Sequence, residues 1–472
     1  MNRILLVRTD LQIPNWAISP PLGVMYLAST LRKNFSQNIR VEIFDMRLYP
    51  RAQDRLRKKI QDFQPEVVGL STISFEAPTM HKVAKMAKEI APSCRVIAGG
   101  PHATIFYDQI LKDVNIDYAV VGEGEESFTE LVKNLLGGEK YTPLLGVAGR
   151  MEGKVFFPGA RPPITDLDAL PFPAWDLIDI DAYLRFQDMN RSMGKGRYMP
   201  LFTSRACPYG CVYCHSIFGK IFRARSPENV LEEVELLRQK YAIEEFQIFD
   251  DCFNLDQKRA KQIGKMIAER VPGIRLSFPN GVRGDIIDRE FLEIFRRAGA
   301  YEISFAIETV TSRLQKLIRK NLDLDKIKDA IYLADKLGYF VQGFFMIGFP
   351  TETEAEIRET IDYAVKSPLS AATFFTVIPF ARTGLAQLAS ETGWGGEMNF
   401  VDCHYHSACT PYQTSTGLNL RKIQRQAYIR LYLRPGRIWK NISRVPNRPK
   451  YFIFFIWHAM VTIFQRDVYS KD

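Results

Sequence analysis

Export and membrane-spanning signals are missing from this 472-residue sequence. The opening Met1-Asn2-Arg3-Ile4-Leu5-Leu6-Val7-Arg8 lacks the long apolar stretch and small-residue cleavage site of a secretory leader, and reads as a strand. The apolar run Tyr451–Phe464 is fourteen residues long, short of the roughly 17 to 25 that a bilayer-spanning helix needs. Acid is absent from one stretch: between Arg421 and Lys450 there are ten Lys or Arg and no Asp or Glu. With 63 basic and 53 acidic residues in all and a formal charge of +10, that segment carries the whole excess. Cysteine is sparse, seven in total with only Cys94 before Cys207. What remains is a globular composition, 46% hydrophobic and 25% charged, which makes a large core available. At roughly 100 to 200 residues per domain, the length suggests two to four domains.

The scarce cysteines are concentrated. Three fall within eight residues in Thr203-Ser204-Arg205-Ala206-Cys207-Pro208-Tyr209-Gly210-Cys211-Val212-Tyr213-Cys214-His215, spaced Cys-x3-Cys-x2-Cys. Pro208 and Gly210 bend the loop so that the thiolates can converge. Disulfide pairing would leave one thiol over, and inert packing seldom explains crowded cysteines. Four cysteines normally close a structural zinc or ferredoxin site, so a triplet suggests an iron-sulfur cluster with one iron left open.

This Cys-x3-Cys-x-aromatic-Cys loop, with Tyr213 as the aromatic, resembles the signature of radical S-adenosylmethionine (SAM) enzymes. The resemblance implies that Cys207, Cys211 and Cys214 hold a 4Fe-4S cluster, that the open iron chelates SAM, and that reductive cleavage gives a 5'-deoxyadenosyl radical. It also implies a reductant such as flavodoxin or ferredoxin. A cluster of this kind and the missing export signal point to a reducing cytoplasm.

Residues 1–150 alternate apolar runs with helical patterns. Strands are expected at Arg3–Val7, Val41–Phe44, Val67–Leu70, Val96–Ala98 and Tyr118–Val121. Helices are expected at Leu22–Lys33, Arg55–Asp62, Pro78–Ile90, Gln109–Lys112 and Ser127–Leu136. This is a doubly wound, Rossmann-like α/β sheet, whose ligands bind beyond the carboxyl ends of the strands. Those ends carry Ser71-Thr72, Gly99-Gly100-Pro101-His102 and Gly122-Glu123-Gly124-Glu125. Glycine there lets a ligand approach closely, although any such sheet needs tight turns. Placed before a radical SAM loop, the set resembles the cobalamin-binding domain of cobalamin-dependent radical SAM enzymes. Ser71, Gly99, Gly100, Pro101, His102, Gly122 and Glu123 are thereby implied as cofactor contacts. The Asp-x-His-x-x-Gly motif that supplies a lower cobalt ligand in many cobalamin domains does not occur, so the lower face is expected to lack that histidine, with His102 a loop residue near the corrin.

Residues 151–195 form an expected linker. Pro158, Pro162, Pro163, Pro171 and Pro173 prevent regular helix and make the connection extended and semi-rigid. Residues 196–395 then repeat strand and helix in the order of a partial (β/α)6 TIM-like barrel, with functional groups at the carboxyl-end loops. Asp250-Asp251, Arg283, Glu308 and Gly348 lie on those loops, and Tyr213 lies in the cysteine loop. By resemblance these positions bind the methionine and ribose parts of SAM. Carboxylates can accept from its ammonium and hydroxyls, and an arginine can pair its carboxylate. Strand-end acids that merely cap the next helix are the plain alternative. Arg382, on the loop after the last strand, is a surface residue or a substrate contact.

Residues 396–472 are an extension expected to contain helices. Cys403, His404, His406 and Cys409 do not have the separated spacing of a zinc site and read as a loop over the active site. The basic segment beside the aromatic run Tyr451–Phe464 suggests a helix lying in a membrane interface, or one docked on the barrel with a solvated basic face. Nucleic acid is not an expected partner. Together the resemblances imply a C-methyltransferase that attacks an unactivated carbon of an apolar small molecule, a lipid, isoprenoid or tetrapyrrole, using the 5'-deoxyadenosyl radical and methylcobalamin. A cyclase or ring-rearranging enzyme of the same family and a non-catalytic cobalamin sensor are the alternatives. A methylthiotransferase is disfavoured, since the single Cys94 cannot supply its second cluster.

Overall fold

The computed structural model describes residues 1–10, 18–35, 38–138, 143–186, 193–194, 196–393, 417–453 and 456. The described residues of Met1–Phe186 and Ser216–Arg223 make one compact unit, and those of Gln187–His215 and Ala224–Asp472 a second.

In the first unit, β1 (Asn2–Arg8), β2 (Ile39–Asp45), β3 (Val67–Ser71), β4 (Arg95–Gly99) and β5 (Tyr118–Val120) run parallel in the spatial order β2-β1-β3-β4-β5. Successive side chains of a strand point to opposite faces, and β1 shows the result. Leu5 and Val7 join one buried cluster with Leu56, Ile60, Val83 and Ala103, and Ile4 and Leu6 join another with Ala28, Leu31, Phe128 and Leu131. The first cluster is covered by α2 (Ala52–Phe63), α3 (Ala77–Ile90) and α4 (Gly100–Ile110), the second by α1 (Leu22–Phe35) and α5 (Gly124–Leu136). Helices on both faces make the sheet doubly wound.

Two local expectations change. The helix expected at Gln109–Lys112 begins at Gly100, directly off β4, because a proline in the first turn gives up only an N–H that would lack a helical partner. Past β5 the sheet continues through β6 (Val147–Met151) and β7 (Lys154–Phe156), an antiparallel pair turned by Glu152 and Gly153 at φ 51° and 78°, the left-handed pair of a tight hairpin. All three residues of β7 are exposed, so it carries no alternating signature.

The proline-rich stretch is strapped to the first unit. Leu167, Ala174, Trp175 and Tyr183 are buried; the Ala174 N–H donates to the Met25 carbonyl at 3.2 Å, and the hydroxyl of Tyr183, on the short helix α6 (Ile180–Leu184), donates to Asp45 at 3.0 Å.

The second unit contains six parallel strands in sequence order: β8 (Tyr198–Leu201), β9 (Glu245–Ile248), β10 (Arg275–Val282), β11 (Ala300–Glu308), β12 (Phe340–Ile347) and β13 (Ala371–Thr376). The sheet ends at β8 and β13, so the barrel is partial. Connections run through α7 (Pro227–Tyr241), α8 (Gln257–Arg270), α9 (Arg289–Arg297), α10 (Ser312–Leu317), α11 (Leu324–Lys336) and α12 (Glu354–Lys366). One face is apolar and helix-covered: Phe278 meets Phe291 and Phe295 of α9 with ring centroids 6.3 and 5.2 Å apart. The other carries Gln247, Ser277 and Glu302 in register across three strands.

After α13 (Gly384–Glu391), helices α14 (Leu420–Tyr432) and α15 (Pro435–Arg444) dock on the β13 edge. Gln424 donates to the Phe374 carbonyl, the Tyr428 hydroxyl accepts from the Phe374 N–H at 3.2 Å, and Tyr432 donates to the Ala372 carbonyl at 3.2 Å. Side chains thus occupy backbone groups that an edge strand would leave open. The basic segment is recruited to the same end. Arg434 and Arg437 donate to the Val365 carbonyl at the end of α12, Lys440 to the Pro368 carbonyl, and Arg444 pairs with Asp335. Cations are favoured at a helix carboxyl end. These residues therefore do not form the free basic face that attraction to anionic lipid requires. No described helix is long and apolar enough to cross a membrane. Of Tyr451–Phe464 only Tyr451–Ile453 and Ile456 are described, and Cys403, His404, His406 and Cys409 lie outside the described residues.

Candidate functional site

The cysteine loop leaves β8 under tight control. Asp250, buried at the end of β9, accepts from the Thr203 N–H at 2.6 Å and from the Thr203 and Ser204 hydroxyls at 2.5 Å each. The Thr203 carbonyl accepts from Arg259 at 2.8 Å and from the Arg225 N–H at 3.0 Å. Ala206, just before Cys207, has φ 69°, a left-handed conformation costly for alanine.

Further strand ends grip the rest of the loop. The Arg283 guanidinium lies 3.8 Å from the Tyr209 ring centroid, a cation–π contact, while it pairs with Asp285 at 2.8 Å. Tyr213 donates to Glu308 at 3.2 Å, and its ring lies 6.3 Å from that of Phe349. Burial and the Glu308 charge both hold the Tyr213 hydroxyl protonated, far above its usual range. Asp251 lies 3.8 Å from His215. The Val212 N–H donates to the Ile318 carbonyl at 3.0 Å, and its carbonyl accepts from the Leu385 N–H at 2.8 Å.

Asp250, Asp251, Arg283 and Glu308, expected around SAM, are thus engaged with the cysteine loop. Gly348 is engaged elsewhere. Its N–H donates to Glu352 at 2.5 Å, it has φ 89°, and a Cβ there would lie 2.5 Å from Leu420 of α14. Glycine is what lets the C-terminal helix approach.

Cys207 and Cys211 are half-buried and Cys214 is exposed. Burial raises the Cys211 thiol above its ordinary pKa. Two residues beside the triplet escaped sequence reasoning. Cys252 is buried with its thiol hydrogen-bonded to Cys207, and that bond together with burial keeps it protonated. Lys320 lies 3.4 Å from Glu308. Their signal was weak: a cysteine directly after the Asp250-Asp251 pair, and one lysine in a basic stretch. Among the described residues no three His, Cys, Asp or Glu side chains converge on a single ion. Three soft sulfurs with no carboxylate among them fit a cluster, whose thiolates bind separate irons.

In the first unit the strand ends present backbone. The Thr72 N–H donates to the Gly99 carbonyl and the His102 N–H to the Thr72 carbonyl, each at 3.1 Å. Gly100 has φ 86°, and a Cβ there would meet Thr72 backbone atoms at 3.0 Å. Gly122 has φ 85° with nothing within 4 Å of where a Cβ would stand, which leaves room for a ligand. Ser71 ends β3, and Pro101 lies in the first turn of α4. His102 meets the Ser74 hydroxyl at 3.3 Å and packs on Phe106 at 5.0 Å. Burial lowers its pKa to about 4, so the imidazole is neutral. Open glycine-edged strand ends fit a large cofactor. Glu123, expected beside it, is turned into a buried ion pair with Arg223 at 2.5 Å and accepts from the Ile164 N–H at 3.0 Å.

Comparison with known proteins agrees with this geometry. The B12 binding domain family matches residues 17–132, and the Radical SAM superfamily matches residues 201–364. An uncharacterized methyltransferase of Pyrococcus horikoshii is 32% identical over 429 residues, 90% of each chain. Cytidylyl-2-hydroxyethylphosphonate methyltransferase of Streptomyces wedmorensis is 31% identical over 420 residues, 79% of this chain and 78% of that one. The structure of the cobalamin-dependent SAM radical enzyme OxsB with aqua-cobalamin and SAM bound superposes with a TM-score of 0.77 at 17% identity, over 98% of this chain and 72% of that one, and so shares its fold. The cysteine triplet, the glycine-edged sheet and both domain matches lie on one chain, and the protein belongs to the cobalamin-dependent radical SAM family, whose cofactors are a 4Fe-4S cluster, SAM and cobalamin.

Proposed function

We propose that the protein is a C-methyltransferase acting on an unactivated carbon of a small apolar molecule. The observation that carries this reading is a cysteine triplet braced from several strand ends, on a chain 32% identical along 90% of its length to a methyltransferase. When bound, SAM at the cluster supplies radical initiation and cobalamin supplies the methyl group. Cys207, Cys211 and Cys214 hold the cluster. Asp250, Arg283, Glu308 and Tyr213 fix the loop that presents it, and Gly348 seats the helix behind. Ser71, Gly99, Gly100, Pro101, His102 and Gly122 border the cobalamin.

The apolar substrate is supported by the face of the partial barrel opposite its helices, as the described residues line it. Ala306, Phe344, Met346 and Phe375 lie on one side of adjacent strands, partly open and without charge, and the rings of Phe344 and Phe375 meet edge to face at 5.8 Å. A flavodoxin or ferredoxin is the reductant. Exposed Phe452, Ile453 and Ile456 support a contact with the membrane surface.

Anaerobic reconstitution tests the reading. With a substrate, SAM should be consumed to both 5'-deoxyadenosine and S-adenosylhomocysteine, one from initiation and one from methyl donation. Protein that binds cobalamin and yields 5'-deoxyadenosine with substrate, but never S-adenosylhomocysteine or a methylated product, would not be a methyltransferase.

A further inference from the structure

An electron bound for a cluster on the cysteine loop enters where the protein between loop and surface is thin, because transfer through protein falls off steeply with distance. Val212, between Cys211 and Cys214, is gripped from both sides. Its N–H donates to the Ile318 carbonyl at 3.0 Å and its carbonyl accepts from the Leu385 N–H at 2.8 Å. A Cβ on Gly384 would lie 3.2 Å from the Val212 Cβ. The turn after α10 and the start of α13 therefore lie directly against the loop, and the side chains they expose are its nearest surface.

Both segments expose cations. Lys316, in the last turn of α10, and Arg319, next to Ile318, are exposed, and so is Arg382, directly before the Thr383 cap of α13. Arg319 and Arg382 are left-handed, at φ 53° and 62°, so their turns are held by the surrounding fold and not by local preference. Among the described residues Lys316 and Arg319 enter no ion pair, whereas acids of the flanking segments are engaged: Glu308 with Lys320, Asp285 with Arg283, Glu356 with Arg313 and Asp323 with Lys326. The surface beside the loop is left positive. Such a face fits an acidic partner, since opposite charge steers encounter and sets the approach, and cations without ion pairs give none up when it docks.

We propose that Lys316, Arg319 and Arg382 form the docking face for an acidic one-electron carrier protein of the flavodoxin or ferredoxin class. The carrier is oxidised by one electron there and the cluster reduced by one, with no bond formed or broken. This rests on the family reading, and its test separates the two. Anaerobic rapid mixing with reduced flavodoxin follows cluster reduction in reconstituted wild type, in Lys316→Glu with Arg319→Glu, and in Arg382→Glu. Reduced methyl viologen, a small cation that needs no docking face, is the control. Reversing the two charges should slow reduction by flavodoxin about 10-fold or more at low salt and abolish the fall in rate that added salt causes in wild type. Iron content and reduction by methyl viologen should not change, and Arg382→Glu should slow flavodoxin by a smaller factor. A double variant reduced by flavodoxin as fast as wild type overturns the docking face, as does a wild-type rate that does not fall with salt. Equal slowing with both reductants also overturns it, because the damage would then lie at the cluster. Wild-type protein that takes up no cluster would sink the family reading, and the docking face with it.

Discussion

The two sheets end in opposite ways. Past β3, β4 and β5 the chain offers backbone, small side chains and space at Ser71, Gly99, Gly100 and Gly122, and the acids there, Glu76 and Glu123, are held in ion pairs with Arg8 and Arg223. Past β9, β10 and β11 it offers charges, and Asp250, Arg283 and Glu308 each close on a residue of the cysteine loop. A large cofactor makes many weak contacts and needs room and N–H groups. A short loop of metal ligands has no core of its own and must be held by directional bonds. The same strand-helix unit meets both demands by changing only the few residues at the strand's carboxyl end.

The strongest way to break this contrast is Asp250→Ala. Buried donors left without partners cost about 1 to 3 kcal/mol each, and Asp250 serves three from two residues. The variant should melt well below wild type and lose most of its iron on reconstitution while keeping its cobalamin. A full iron complement would show that the loop holds itself. On the other sheet, Gly100→Ala combines left-handed strain with a clash against Thr72, and should cost about 2 to 3 kcal/mol by melting temperature. Gly122→Ala carries the strain without the clash, about 1 kcal/mol. A fall in cobalamin retention in Gly122→Ala beyond that stability loss would place the corrin against Gly122, and equal retention would move it elsewhere.

A smaller effect tests the turn beneath α14. Glu352 is buried and accepts from the Gly348 and Phe349 N–H groups, and burial raises its pKa to about 8 from 4.5. The folded state therefore favours the protonated acid. The stabilisation this gives is complete at acid pH and is lost as pH rises through about 8. Denaturant titrations from pH 5 to 9 should show stability falling with pH, and Glu352→Gln should flatten the decline; an unchanged slope would show that the carboxylate stays ionised. The smallest effect is expected at the exposed tail. Phe452→Ser with Ile453→Ser should change stability by less than about 0.5 kcal/mol but weaken cosedimentation with anionic vesicles. Truncation at Arg421 would be a poor substitute, since it strips the edge strand of α14. Cosedimentation equal to wild type would remove the membrane contact.

Legibility followed the range of the interaction. The family, carried by the Cys207, Cys211 and Cys214 spacing, and the apolar runs that became strands are properties of a few consecutive residues, and they read correctly. The β6–β7 hairpin did not, because β7 is exposed and has no apolar period and β6 is buried only at Val147, Ala148 and Gly149. The contacts of Asp250 and Glu308 with the cysteine loop did not either: 47 residues separate Asp250 from Thr203, and 95 separate Glu308 from Tyr213. A strand-end carboxylate looks the same in sequence whether its partner is a cofactor or a loop.

What the chain determined by itself is therefore the kind of chemistry: three thiolates at cluster spacing, glycine where a large ligand must come close, and a strand-helix alternation that delivers both to strand ends. What only the tertiary structure decided is the use of charge. Ten basic residues in one acid-free segment suggested an outward face, yet several of them close the carboxyl end of α12 and pair with Asp335. Acids at the strand ends, Asp250 and Glu308, hold the cysteine loop, and a lysine without any motif, Lys320, pairs with Glu308. The reason is physical. A charge is stabilised by whatever opposite partner the fold brings within a few ångströms, and that partner is chosen by packing across the chain, not by neighbours along it.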